Sequence, residues 1–271
     1  MVIMICMYPI LLKIPLGSWI IPIPGYGTML ALGFSVALYC VVRRARFEGL
    51  DPEHFLNVAT YIILAALLGS RLFHVIIEKP SYYFANPLEI PKVWKGGYTY
   101  YGGFIPAALV LWWYLKKHAM PVLKSMDIFA PYLALGTTFG RLGCFLAGCC
   151  HGKICEYTFF PISYVATRPD SFSRPLGVPL YATQIWQASA NFLVFLCLIG
   201  MRKYKKFDGQ LLAGYLILYP IGRILIEIFR GDEIRGFLIS NLLSTSQFLG
   251  LITMFIGGIL WWRARKNPLS S

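Results

Sequence analysis

Seven stretches of about 20 mainly apolar residues constrain this chain more than any other feature of its sequence. About 20 residues of α-helix cross the hydrocarbon core of a bilayer. A soluble protein of 271 residues would carry more charge than the 14 % found here. The sequence therefore predicts an all-α integral membrane protein, a bundle of seven transmembrane helices. The predicted spans are 26–42, 55–77, 98–115, 127–148, 182–201, 210–229 and 241–262.

The basic residues behind the net charge of +13 indicate how the predicted bundle is oriented in the membrane. One side of the predicted bundle carries 13 Lys and Arg, against 9 on the other, and the 13 lie directly beside span ends, at 43–46, 116–124, 202–206 and 263–266. Short basic clusters next to spans mark the cytoplasmic side of a membrane. The N-terminus is therefore predicted outside and the C-terminus in the cytoplasm, with no nucleic acid needed as a partner.

Two longer connections, approximately 78–97 and 149–181, fall on the predicted outer side. The second contains four prolines and has no helical period, which favours an irregular extracytoplasmic cap or loop. No repeat of fixed period is visible. Residues 1–271 are therefore predicted to form a single transmembrane domain.

Three arginines lie inside the predicted spans, Arg71, Arg141 and Arg223, and Glu227 is the one acidic residue clearly inside a span. Three intramembrane arginines cost on the order of 8–10 kcal/mol on insertion scales, which indicates a functional need. Arg223 and Glu227 stand at i and i+4, within pairing reach on one helix face. All three arginines fall in the outer half of the bilayer, where the phosphate of a lipid headgroup fits the guanidinium fork. The alternative is structural: the arginines snorkel or bond exposed carbonyls.

Four cysteines follow one another at the end of the fourth span, at Cys144, Cys149, Cys150 and Cys155. Their spacing lacks the C-x2-C pairs typical of zinc sites, so no metal site is predicted. Outside the cytoplasm, a disulfide from Cys149 or Cys150 to Cys155 is one interpretation. A thiol-redox membrane protein is another, although it leaves the arginines unexplained.

Six segments in chain order resemble the phosphatidylglycerol–prolipoprotein diacylglyceryl transferase family. The segment GRLGCFLAGCCHG at 140–152 is similar to the family signature G-R-x-G-N-F-x-N-G-E-x-x-G, and RILIEIFR at 223–230 is similar to its R-x-x-x-E-x-x-R helix. The shorter likenesses are GSRL at 69–72, YGGF at 101–104, ATQIWQA at 182–188 and STSQFLG at 244–250.

The resemblance implies a seven-helix enzyme of the bacterial cytoplasmic (inner) membrane that uses no cofactor. The diacylglyceryl group of phosphatidylglycerol would move to the thiol of the lipobox cysteine of a prolipoprotein. The resulting thioether is the first protein modification in lipoprotein biosynthesis. Membrane lipid and prolipoproteins would be the partners. The alternative is a non-catalytic or altered-specificity lipid-binding homologue.

The resemblance and the intramembrane charges together assign roles to individual residues. The residues expected to act in catalysis are Arg141, Arg223, Tyr101 and Glu227. The residues expected to bind substrate are Arg71, Gly102, Gly103, Cys144, Cys149, Gln184, Gln247 and Arg230.

The sequence departs from the family pattern at Tyr101, Cys144 and Cys149, where the family has histidine, asparagine and glutamate. Tyrosine has a pKa of about 10, which makes it a poor base at neutral pH. His151 and His74 are therefore the alternative bases, His74 because it follows Arg71 by three residues on one helix face.

Overall fold

The computed structural model describes residues 7–16, 19–92, 97, 99–155, 163–173, 175–231, 237–239 and 243–266. Within these ranges helix dominates, and each sheet has two strands. The helices are α1 (Gly25–Phe47), α2 (Pro52–Phe73, extended by a π-helical turn at His74–Glu78), α3 (Pro80–Ala85), α4 (Tyr100–Lys117), α5 (Val122–Ala147), α6 (Thr183–Arg202), α7 (Gln210–Glu227) and α8 (Thr245–Ala264). The strands are β1 (Ile10–Leu16), β2 (Trp19–Pro24), β3 (Ser163–Val165), β4 (Pro179–Tyr181), β5 (Phe237–Ile239) and β6 (Leu243–Ser244).

All the α-helices in the described ranges except α3 have at least 18 residues, and each of these overlaps one predicted span. Five are long and apolar enough to cross a membrane: α1, α2 with its π-helical turn, α6, α7 and α8. The predicted class, an all-α membrane protein, is therefore confirmed. The count of seven spans and the extracytoplasmic cap stay predictions.

The structure adds detail to two of the predicted segments. The segment 149–181 contains a short antiparallel pair, in which Tyr164 of β3 faces Leu180 of β4. Pro179 is the first residue of β4, a position at which a strand tolerates proline. The Ser244 side chain accepts from the Gln247 backbone N–H and caps α8, while positions 241 and 242 of the predicted last span lie outside the described residues.

Two compact units make up the chain, Met1–Cys40 with Met126–Ser271, and Val41–Ser125. In the second unit α2 packs on α4 through glycines. A Cβ added to Gly69 would lie 2.5 Å from the Gly102 carbonyl oxygen, and one added to Gly103 would lie 3.1 Å from the Ala66 carbonyl oxygen. Gly102 and Gly103 thus serve helix packing, and their predicted part in substrate binding stays a prediction.

In the first unit, a buried carboxylate on α5 organises the start of α7. Asp127 Oδ1 accepts from the backbone N–H of Leu211 and Leu212 at 2.9 Å, and Oδ2 accepts from Gly209 at 2.8 Å. Lys205 Nζ lies 2.9 Å from the same carboxylate. These contacts satisfy backbone donors that a helix start leaves open and compensate the buried charge. They anchor the helix that carries the intramembrane ion pair.

Candidate functional site

An ion-paired group occupies the end of α7. Glu227 Oε2 lies 2.9 Å from Arg223 Nη2 and 3.9 Å from Arg230 Nη1, and the Glu227 side chain is only 3 % exposed. The predicted pairing of Arg223 with Glu227 is confirmed. Arg223 Nη2 also donates to Ser246 Oγ of α8 at 3.4 Å. One carboxylate thus pairs with two guanidinium groups, that of Arg223 on α7 and that of Arg230 just beyond the end of α7.

A backbone ladder holds Arg230 beside the segment that follows α5. Gly152 forms an antiparallel bridge with Arg230, the Lys153 N–H donates to the Phe229 carbonyl at 2.9 Å, and the Gly231 N–H donates to the His151 carbonyl at 3.2 Å. A Cβ at residue 152 would lie 2.7 Å from the Tyr181 carbonyl oxygen. Glycine is therefore required there for the two segments to meet.

Arg141 lies half-buried near the end of α5. Together with Arg223 and Arg230 it makes up what we call the basic group. The charge of Arg141 and that of Arg230 both act on Arg223, so the three guanidinium groups gather in one region. Three arginines give this region a basic character, and Glu227 contacts two of them. The structure therefore brings together the two arginines predicted to act in catalysis and Arg230, which was predicted to bind substrate. Such a site favours an anionic ligand.

Three thiols converge beside these arginines. The Sγ atoms of Cys144, Cys149 and Cys150 all lie within 4.8 Å of one another, with Cys144 buried and the others half-buried. Hydrogen bonds from the thiols of Cys144 and Cys149 lower the pKa of Cys150, and the charges of Arg230 and Arg141 lower it further. In the described part of the chain no disulfide joins Cys155 to Cys149 or Cys150, contrary to that interpretation.

Side chains of helix α6 bond to the backbone of the turn at 148–150, which carries Cys149 and Cys150. Gln184 Nε2 donates to the Cys149 carbonyl at 3.0 Å, and Thr183 Oγ1 donates to the Cys150 carbonyl at 2.9 Å. Gln184 is almost fully buried, at 1 % exposure, and also donates to Tyr164 Oη at 3.2 Å. Its visible role is to position the turn, while its predicted contact with substrate stays a prediction.

Gln247 has a comparable local role at the start of α8. Its side-chain oxygen accepts from the Ser244 N–H at 3.1 Å, while the Ser244 hydroxyl accepts from the Gln247 N–H at 3.2 Å. This reciprocal pair is a capping box. The Ser244 hydroxyl also lies 3.1 Å from the Ser246 hydroxyl, which accepts a hydrogen bond from Arg223. Gln247 thereby supports the arginine group indirectly, and substrate binding by this residue stays a prediction.

Tyr26 is a site residue that the sequence analysis missed. It lies at the start of α1, where a Cβ added to Gly143 would be 3.2 Å from its ring, and it interacts electrostatically with Arg141 and Cys144. Tyr26 precedes Arg141 by more than 100 residues. No local spacing connects positions that far apart, so only packing reveals the contact.

Arg71, in the Val41–Ser125 unit, binds backbone rather than standing open to an anion. Its guanidinium donates to the carbonyls of Glu89 at 2.8 Å, Ile90 at 3.1 Å, and Lys92 and Gly97 at 3.4 Å each. It also lies over the Tyr83 ring at 5.2 Å. This is the structural alternative stated above, and the predicted headgroup contact of Arg71 stays a prediction.

The candidate bases differ in what the structure describes. The Tyr101 side chain lies outside the described residues, although its backbone belongs to α4. His74 Nδ1 lies 2.6 Å from Glu78 Oε2, beside a cavity of about 600 Å³ that Arg71 also lines. His151 Nδ1 lies 3.1 Å from the Gly152 carbonyl, so that its Nδ1–H donates and Nε2 is left as the acceptor in the neutral ring.

Comparison with known proteins decides the family. The family model described as "Prolipoprotein diacylglyceryl transferase" matches residues 9–263. The chain belongs to the prolipoprotein diacylglyceryl transferase family. Five helices apolar enough to span, together with this family, make it a multi-pass protein of the bacterial inner membrane. The resemblance drawn from the six segments is therefore confirmed.

Relatives in this family match nearly the whole chain. The phosphatidylglycerol–prolipoprotein diacylglyceryl transferase of Clostridium tetani is 36 % identical over 236 residues, which are 86 % of this chain and 90 % of that protein. The second such enzyme of Clostridium perfringens is 34 % identical, with 89 % and 90 % covered. The Finegoldia magna transferase is 31 % identical, with 93 % and 95 % covered. The chain is thus similar to these transferases along its length.

Proposed function

We propose that this protein transfers the diacylglyceryl group of phosphatidylglycerol to the lipobox cysteine of prolipoproteins. In this reaction a carbon–sulfur bond forms at the glycerol carbon while the carbon–oxygen bond to the phosphate breaks. Glycerol phosphate leaves with the bonding electrons, and the thiol loses its proton. The single observation that carries the proposal is the pairing of Arg223 and Arg230 with Glu227, together with Arg141 close enough for its charge to act on Arg223.

Arg141 and Arg223 bind the phosphate and stabilise the charge that develops on it as it leaves. Fixed donors in a site that excludes water are effective because they need no reorganisation, and the loss of one such donor costs about 10²–10³ in rate. Glu227 keeps the Arg223 guanidinium in place through its 2.9 Å contact. Arg230, bonded into the backbone ladder with Gly152, contributes further positive charge.

The positive charge of these arginines also assists the incoming thiol. A free cysteine thiol has a pKa of about 8.5, and nearby cations lower that value, which increases the thiolate fraction at neutral pH. Because more of the thiol is then already ionised, the reaction depends less on a dedicated base to remove its proton. Tyr101 is assigned to hydrogen bonding with the phosphate or the ester, with His151 and His74 as the alternative bases.

The proposed topology places this chemistry in the outer leaflet. Seven spans carry the N-terminus outside and the C-terminus in the cytoplasm, and the segment 149–181 forms the extracytoplasmic cap. The charge distribution beside the helices supports this orientation. Residues 1–271 act as a single transferase domain in this proposal.

Purified full-length protein, incubated with phosphatidylglycerol vesicles and a lipobox peptide, tests the function. Mass spectrometry should detect a thioether-linked diacylglyceryl peptide, and Arg141→Ala should lower its rate by about 10²–10³. Arg46→Ala, in an exposed part of the basic last turn of α1, is the matched control and should leave the rate unchanged. Headgroup binding without any product would instead identify the lipid-binding homologue.

Complementation gives an independent test in cells. The chain should restore growth to a bacterium that lacks its own transferase, and the Arg141→Ala form should not. Equal rescue by both forms, at matched protein levels in the membrane, would reject the proposed role of Arg141 in binding the phosphate. If neither form restores growth although the wild-type protein forms product in vitro, the chain does not recognise the prolipoproteins of that bacterium.

A further inference from the structure

The steps of the proposed reaction do not explain why the thiols of Cys144, Cys149 and Cys150 converge, and the predicted substrate contacts of Cys144 and Cys149 stay predictions. These positions depart from the family pattern at Cys144 and Cys149, and their three Sγ atoms lie within 4.8 Å of one another. Among the described residues, this close group contains only sulfur ligands, without a histidine nitrogen or carboxylate oxygen. Three convergent sulfurs constitute a soft ligand set.

The backbone turn that presents the sulfurs is unusual and firmly held. Gly148 and Cys150 both have positive φ, at 81° and 60°, a conformation that is rare for a non-glycine residue such as cysteine. Hydrogen bonds from Gln184 and Thr183 to the carbonyls of Cys149 and Cys150 keep this turn in place. Such strain persists where the surroundings impose it, and it concentrates at functional sites.

We propose that Cys144, Cys149 and Cys150 form a three-thiolate site for a soft divalent cation such as Zn²⁺, with a fourth position open to a small ligand. Zinc–sulfur bonds of about 2.3 Å place sulfurs that share one metal roughly 3.8–4.0 Å apart. The sulfurs, within 4.8 Å of one another, therefore need to close by less than about 1 Å. Each metal–sulfur bond forms as one S–H proton passes to solvent.

The neighbouring arginines match the charge of such a complex. Three thiolates and one divalent cation carry a net charge of −1, which is costly to bury without compensation. Arg230 and Arg141 act electrostatically on Cys150, and their positive charge provides this compensation. The basic group thus stabilises a bound thiolate complex.

Cadmium titration of the reduced full-length protein in detergent micelles tests this site without depending on transferase activity. One Cd²⁺ per chain should bind and produce a thiolate-to-metal charge-transfer band in the ultraviolet. Loss of one thiolate, in Cys149→Ser, should weaken binding by more than about 100-fold, beyond the 10–100-fold cost of outer-shell changes. Cys197→Ser, at an exposed position on α6, is the matched control and should bind as the wild type.

Alkylation of the wild-type protein gives a second readout that needs no variant. Bound Cd²⁺ should protect Cys144, Cys149 and Cys150 from iodoacetamide, while Cys40 and Cys197 stay reactive by peptide mass spectrometry. The proposal is overturned if the band and stoichiometry persist when all three cysteines are serine. It is equally overturned if two of the three sulfurs form a disulfide in protein purified without reductant and excess metal does not occupy the reduced form.

Discussion

Replacing Glu227 with glutamine tests whether one buried carboxylate holds the arginine group together. Its Oε2 lies 2.9 Å from Arg223 and 3.9 Å from Arg230, and both arginine side chains are at most 13 % exposed. With an effective dielectric constant of 20, these distances correspond to attractions of roughly 6 and 4 kcal/mol, which desolvation partly offsets. Removing one partner of a buried pair costs about 3–5 kcal/mol, and we expect a loss in this range for Glu227→Gln.

The chain supplies a matched control in the same helical geometry. Arg44 and Glu48 form an i, i+4 pair with Nε and Oε1 2.7 Å apart, but their side chains are 32 % and 15 % exposed. Solvent screens this pair more strongly, so Glu48→Gln should cost less than about 1 kcal/mol. Both substitutions preserve side-chain size and one oxygen acceptor, so burial and the neighbouring arginines are the differences that matter.

Equilibrium unfolding of each purified variant in detergent, followed by tryptophan fluorescence, measures the loss. The transfer rate of Glu227→Gln should fall by about 10²-fold, because a displacement of Arg223 by 1 Å is enough for such an effect. If Glu227→Gln loses no more stability than Glu48→Gln, the carboxylate does not hold the group. A stable variant with a normal transfer rate would refute its positioning role as well.

Three further substitutions test the packing that supports the site. Asp127→Asn removes the charge that pairs with Lys205 and weakens the cap of α7, and it should lower the free energy of unfolding by about 3 kcal/mol in the same assay. Gly152→Ala places a Cβ 2.5 Å from the Tyr181 Cβ and should cost about 1–3 kcal/mol and reduce transfer. Gly140→Ala meets nothing within 4 Å, and unfolding should show no loss of stability; a marked loss would contradict the packing found there.

The local features of the site could be predicted because they depend on short spacings. The Arg223–Glu227 pair follows from the geometry of one helix turn, in which i and i+4 side chains are neighbours. The helical segments follow from apolar runs of membrane-spanning length. Neither inference requires knowledge of which elements pack together.

Contacts between distant segments could not be read in the same way. Arg71 is a buried cation in both sequence and structure, but its carbonyl partners lie 18–26 residues further along, and they decide that it holds a loop. Gln184 resembles a substrate ligand in sequence, yet it donates to the Cys149 carbonyl 35 residues away. A side chain has many possible partners, and folding selects among them.

The sequence by itself determined a helical membrane protein of this transferase family, with arginines inside its spans and an acidic partner one turn from Arg223. Only the tertiary structure decided that Arg141 and Arg230 join that pair and that three thiols converge beside them. The reason is physical: hydrophobic length and helix periodicity are properties of consecutive residues. Convergence instead depends on a left-handed turn at Cys150 and on hydrogen bonds from α6, which exist only once the helices have packed.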